Sequence, residues 1–221
     1  MTDTKPTPTT LRARALLFDV DGTLVDSSAV VERIWRQFAR RHGLDPDEIL
    51  AASHGRRTGD VVARFAPAGV DLAAETALVT AQEVDDTGGV AAVAGAGELL
   101  AGLPVDRWAL VTSASRELAV RRMAMAGLGL PPVIISADDV HAGKPDPEGY
   151  LAAASRLGVP AATTVVFEDT DAGLAAARAA GAREVAVGTR NGAGARGLPQ
   201  ISDFRTVTAT SAGNGWLRLA L

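Results

Sequence analysis

The sequence contains no cysteine. That excludes a disulfide framework, a thiolate metal site and a cysteine nucleophile. It also lacks a basic block and carries a formal net charge of −4, so it offers no electrostatic footprint for nucleic acid. No apolar run approaches the length of a membrane span, and the first residues are polar rather than those of a secretory signal. A cytoplasmic protein that binds neither nucleic acid nor membrane is the expectation. Lysine is almost missing: it stands only at positions 5 and 144, among many arginines. Against that background Lys144 calls for a chemical reason. What remains is 221 residues, enough for one large domain, or a domain with an insert, around a sizeable core. Nothing in the pattern sets an oligomeric state.

Residues 1–10 are polar and proline-bearing, which predicts a disordered tail. The apolar run Leu16-Leu17-Phe18 then meets Asp19-Val20-Asp21-Gly22-Thr23. A run this short and this abruptly ended predicts a buried strand of a parallel sheet, with two carboxylates at its carboxyl end. Asp-Gly is also a common turn pair, so partners further along must decide between a turn and a site. Val30, Val31, Ile34, Trp35, Phe38 and Ala39 trace one face of a helix that Ser27 or Ser28 could cap and Gly43 would end. Residues 46–53, 59–66 and 72–87 predict three more helices.

From Gly95 the pattern alternates. Helices are expected at 97–103, 115–127 (Leu118, Met123 and Met125 inward), 146–157 and 172–180. Strands are expected at 108–112, 133–135, 164–167 and 184–187. This βαβ succession builds a parallel sheet covered on both faces. Residues 206–210 and 216–220 flank Gly213-Asn214-Gly215 and predict a β-hairpin. The expected fold class is α/β: a Rossmann-like parallel-sheet core of residues 11–26 and 93–221, interrupted after its first strand by an all-helical cap of residues 27–92, with a C-terminal β-hairpin.

Polar clusters follow four of these strands: Asp19 and Asp21; Thr112 and Ser113; Gly143-Lys144-Pro145-Asp146-Pro147; and Glu168-Asp169-Thr170-Asp171. In a parallel sheet all carboxyl ends lie on one edge, so the clusters converge despite their separation. Together they suit phosphoryl transfer. Asp19 could attack phosphorus and form an aspartyl-phosphate, and Asp21 could protonate the leaving oxygen and then deprotonate a water. Two carboxylates so close repel unless a cation or shared proton offsets them. A hard divalent ion such as Mg²⁺ would do so, with Asp169 and Glu168 completing its shell. The Thr112 hydroxyl, a backbone N–H near Ser113 and the Lys144 ammonium would hold the other phosphate oxygens.

These four clusters, read as Asp19 to Ser27, the strand ending in Thr112, Gly143 to Pro147 and Phe167 to Gly173, resemble the four motifs of the haloacid dehalogenase (HAD) superfamily. The helical insert resembles that superfamily's type 1 cap. The resemblance implies Asp19 as nucleophile, Asp21 as acid/base and, through its backbone carbonyl, a Mg²⁺ ligand. It implies Asp169 as the main distal metal ligand, and Thr112 and Lys144 as phosphate binders. Members that dehalogenate 2-haloacids lack the second aspartate, which is present here as Asp21. Phosphonate-cleaving members use a cap lysine, and residues 27–92 contain none. Sugar-phosphate mutases carry a histidine where this chain has Val31, together with a cap lysine. A Mg²⁺-dependent phosphatase is therefore the expectation, with a sugar phosphomutase or a catalytically idle phosphate-binding regulatory protein as alternatives. Ser53 to Thr58 and Trp108 to Ser113 look similar to enzymes acting on glycerol phosphate, 2-deoxyglucose 6-phosphate and other small sugar or polyol phosphates. In the first of these, His54 and Arg57 are either substrate ligands or, respectively, a loop residue and a solvated charge; Arg56 poses the same choice. Asp171 departs from the small residue or proline often found there, and its extra charge could bias metal affinity.

Overall fold

Ala15, Leu16, Leu17 and Phe18 are all fully buried, as expected for a strand covered on both faces. The computed structural model describes residues 9–86, 88–188 and 192–221. The tail expected over 1–10 therefore lies outside the described residues up to position 8, as does Thr87 at the expected end of a helix. Thr10 differs from expectation, because a strand, β1 (Thr10–Ala13), already begins there. The next strand, β2 (Ala15–Phe18), forms the centre of a six-stranded parallel sheet.

On one side of β2 lie β5 (Trp108–Val111) and then β6 (Ile134–Ile135). On the other lie β7 (Thr164–Glu168), β8 (Arg183–Val187) and β9 (Gln200–Ile201). The chain runs outward one way from β2 and later returns to its other flank. The order of winding thus reverses between β2 and β7, where open α/β sheets leave a crevice at the strand carboxyl ends. Helices α5 (Ala96–Ala101), α6 (Arg116–Met125), α7 (Glu148–Arg156) and α8 (Asp171–Ala179) connect these strands.

Strand periodicity sorts the core into two layers. Leu16, Phe18, Val165 and Phe167 join one cluster, and Leu17 and Val166 the opposite one. Phe18 and Phe167 stack with ring centroids 5.0 Å apart, and Phe204 meets both rings. This aromatic group lies directly beneath Asp19 and Glu168, the next residues along each strand. Phe167→Ala is expected to cost about 3–5 kcal/mol in a urea melt and to lower activity in the surviving folded fraction.

Between β3 (Val25–Asp26) and β4 (Ala91–Ala92), which pair antiparallel, stand α1 (Ser28–His42), α2 (Pro46–Ser53), α3 (Thr58–Phe65) and α4 (Leu72–Asp85). They enclose a hydrophobic cluster of their own, built on Ile34, Trp35, Phe38, Ile49, Val61 and Val79. Gly43 ends α1 in the left-handed conformation at φ 67°, which glycine adopts without strain. The start of α1 corrects the expected cap. Ser27 makes no capping hydrogen bond; Asp26 Oδ1 accepts from the Ser28 N–H instead. In α6 the inward residues are Leu118, Ala119, Arg122 and Met123, whereas Met125 is only half-buried. At the C-terminus β10 (Thr208–Ser211) and β11 (Leu217–Ala220) form the hairpin, and β1 joins β11 as a third strand.

Candidate active site

The loop after β2 folds back on itself: the N–H groups of Thr23, Leu24 and Val25 all donate to the Val20 carbonyl. Gly22 sits at φ 88°, and a Cβ there would lie 2.0 Å from Asp169 Oδ2. Only glycine brings this backbone against the Asp169 carboxylate. Thr23 Oγ1 donates to Asp169 Oδ1 at 3.0 Å, fixing one of its oxygens.

Lys144 reaches the same place from the loop after β6. Its Nζ donates to Asp19 Oδ1 at 2.5 Å and to Glu168 Oε1 at 2.6 Å, and all three side chains are buried. Glu168 also accepts from Tyr150 Oη on Oε1 and from the Thr170 N–H and hydroxyl on Oε2. A Cβ on Gly173 would lie 1.6 Å from Glu168 Oε1, so this carboxylate occupies space that glycine leaves open. With Glu168 filled by protein donors, Asp19 Oδ2 and Asp169 Oδ2 have no hydrogen-bond donor among the described residues.

Burial pushes the Asp19 carboxyl up to about 7; Lys144 opposes the rise, and Glu168 and Asp21 add to it. Asp169 is pushed well above the usual carboxylate range by burial, then by Glu168 and Asp19. Lys144 is held charged: burial works against its ammonium, but Asp19 and Glu168 outweigh it. Carboxylate oxygens of Asp19, Glu168 and Asp169 lie within 4.8 Å of one another. Three crowded carboxylates with one ammonium leave an excess of negative charge, and their donors are all hard oxygens. The cluster fits a divalent metal ion of that preference.

Thr112 is buried at the end of β5, and its Oγ1 accepts from the Ala114 N–H, which leaves the hydroxyl hydrogen free to donate. Ser113 Oγ donates to the Gly55 carbonyl, so the loop between α2 and α3 is seated on the sheet edge. Arg57 lines a small cavity with Thr112, Ser113 and Lys144, yet its guanidinium is bound to Asp60 and the His141 carbonyl. His54 is exposed, with Nδ1 against the Leu50 carbonyl. Neither side chain is hydrogen-bonded to Asp19. Asp171, whose charge could bias metal affinity, accepts from the Gly194 N–H and anchors that loop.

Asp21 turns away from the carboxylate cluster. Its Oδ1 accepts from Ser27 Oγ at 2.6 Å, and its Oδ2 pairs with Arg122 Nη1 at 2.5 Å. The sequence reading missed Arg122, Ser27 and Tyr150 as parts of this site. A signal for Arg122 was available: helical spacing places it on the stripe of Leu118, Ala119 and Met123.

The haloacid dehalogenase-like hydrolase profile matches residues 13–181. The chain belongs to this family. Hexitol phosphatase A of Escherichia coli is 42% identical over 184 residues, covering 80% of this chain and 84% of that protein. Glycerol-1-phosphate phosphohydrolase 2 of Saccharomyces cerevisiae is 35% identical, covering 82% and 77%. Among solved structures, CbbY of Rhodobacter sphaeroides in complex with phosphate superposes with a TM-score of 0.74 at 26% identity, covering 88% of this chain and 96% of that one. The family accounts for a parallel sheet whose acidic edge is assembled from well-separated stretches of chain. Among the described residues, no helix is long and apolar enough to cross a membrane.

Proposed function

We propose that this HAD-like hydrolase is a Mg²⁺-dependent phosphatase of small sugar or polyol phosphate monoesters. The observation that carries the reading is Asp19: buried, held on Oδ1 by Lys144, with no donor to Oδ2 among the described residues. The relatives named as hexitol and glycerol phosphate phosphatases support the substrate class. In this reading Asp19 Oδ2 attacks phosphorus and forms an aspartyl-phosphate while the alkoxide leaves. Asp21 protonates that oxygen and then takes a proton from the water that hydrolyses the intermediate. Lys144 and the Thr112 hydroxyl bind the phosphoryl oxygens, joined by a backbone N–H near Ser113. Asp19, Asp169 and the Asp21 carbonyl, with Glu168 beside them, would hold Mg²⁺. Bound there, the ion would offset carboxylate repulsion and neutralise phosphoryl charge.

Residues 27–92 act as a cap over the core of residues 11–26 and 93–221, with the His54 to Arg57 loop shaping the entrance. The test is phosphate release from a panel of small phosphate esters, with Mg²⁺ and with EDTA. Release from polyol or hexose phosphates that EDTA abolishes is the expected result. Isomerised hexose phosphate without phosphate release would instead identify a mutase. A silent panel in which the esters still raise the melting temperature would identify an idle binding protein.

A further inference from the structure

Arg122 is an arginine on the wrong side of its helix. It is 4% exposed, on the apolar stripe of α6. One nitrogen, Nη1, pairs with Asp21. The other two, Nε and Nη2, are buried without a hydrogen-bond partner among the described residues. Nε and Nη2 form the side fork of the guanidinium, the pair that grips a carboxylate with two parallel bonds. Glu83 of α4 is buried nearby, with Oε1 4.0 Å from Nη2 and Oε2 held by the Thr58 hydroxyl. One guanidinium therefore stands between a carboxylate of the sheet edge and a carboxylate of the helical unit, bound to the first and just short of the second.

We propose that Arg122 is a positioning residue that holds Asp21 in reserve until Glu83 takes over its guanidinium. The inference rests on the reading of Asp21 as the acid/base. In the arrangement seen, both Asp21 oxygens are engaged, one by Ser27 and one by Arg122. A carboxylate so held has no oxygen free to carry a proton to a leaving group. A movement of α4 toward α6 by about 1 Å brings Glu83 within hydrogen-bond reach of the empty fork. Gripping Glu83 with Nε and Nη2 draws the guanidinium toward α4, which pulls Nη1 off Asp21 and frees that oxygen to turn toward the reacting group. The closeness of the helical unit to the sheet thus sets whether the acid is in play.

The test compares kcat/KM for glycerol phosphate, whose alkoxide needs a proton, with that for p-nitrophenyl phosphate, whose phenolate leaves without one. This parameter covers only the steps through departure of the alcohol. The ratio of the two values cancels any loss of folded protein. Asp21→Asn is expected to lower the ratio of glycerol phosphate to p-nitrophenyl phosphate about 100-fold. Glu83→Gln, which leaves Arg122 clamped on Asp21, is expected to lower it about tenfold. Adding Arg122→Met to Glu83→Gln removes the clamp and should restore at least about threefold of that loss. An unchanged ratio in Asp21→Asn would sink the acid reading itself. A changed ratio there, with no change in Glu83→Gln or a double variant worse than Glu83→Gln, would overturn the proposal for Arg122 alone.

Discussion

Asp19→Asn is expected to abolish turnover and, in the absence of divalent cations, to stabilise the protein at alkaline pH. Loss of the attacking carboxylate removes the covalent route, a fall on the order of 10⁴-fold or more, and a phosphorylated enzyme no longer accumulates in acid-quenched samples examined by mass spectrometry. The stability change follows from the Asp19 carboxyl, which burial raises from 3.8 to about 7. The unfolded chain releases this proton near 3.8, whereas the folded chain keeps it to about 7. Between those values the folded state binds more protons, so stability falls as pH rises and the whole loss is in place above 7. The rise corresponds to at most roughly 4 kcal/mol. Asparagine cannot ionise and avoids that cost. Urea melts in EDTA should show the variant level with the parent below pH 4 and ahead of it at pH 8. A parent at least as stable as the variant at pH 8 would contradict the assignment of a strained carboxylate. Full activity in the variant would sink the nucleophile.

The order of elements was legible because each signal was local and strong. Apolar runs such as Trp108 to Val111 were bounded by turn residues, and glycines followed the helix ends. The placement of the acidic clusters on one edge then followed from parallel topology alone. The weak strands were not legible. β3, β4 and β9 are two residues long and depend on partners far away in sequence. β1 gives no strand signal, and its first residue, Thr10, reads as polar tail, because its buried side chain comes only at Ala13. Side-chain direction was also beyond reach: Ser27 looked like a helix cap, and only the folded loop shows its hydroxyl on Asp21. Arg122 and Glu83 were readable in principle, since each lies four residues after a buried apolar residue of its helix, Leu118 and Val79. A charge on an apolar stripe points to a buried partner, but the sequence does not say which.

Lys144→Met is expected to damage both stability and activity, with a pH dependence that separates it from an ordinary packing defect. The ammonium lies between Asp19 and Glu168 at 2.5 and 2.6 Å and is almost wholly buried. Removing one partner of a buried ionic group leaves uncompensated charge, at a cost of about 3–5 kcal/mol. Asp19 can escape that cost by keeping its proton. Lys144 lowers the Asp19 pKa, so its loss moves the carboxyl above 7 and widens the range over which the folded state holds the extra proton. The variant should therefore lie closest to the parent near pH 5, where Asp19 is neutral in both. It should fall further behind as pH rises past 7, because the parent's loss has levelled off there while the variant's continues. Turnover should drop about 10²–10³-fold through loss of a cation at the phosphoryl group, with the residual activity shifted to higher pH. Lys144→Arg is not expected to rescue it, since a planar fork does not fit a gap shaped for a point charge. Urea melts in EDTA at pH 5 and pH 8 decide the matter. Equal losses at both would show that Lys144 contributes by packing, not by favouring the ionised form of Asp19.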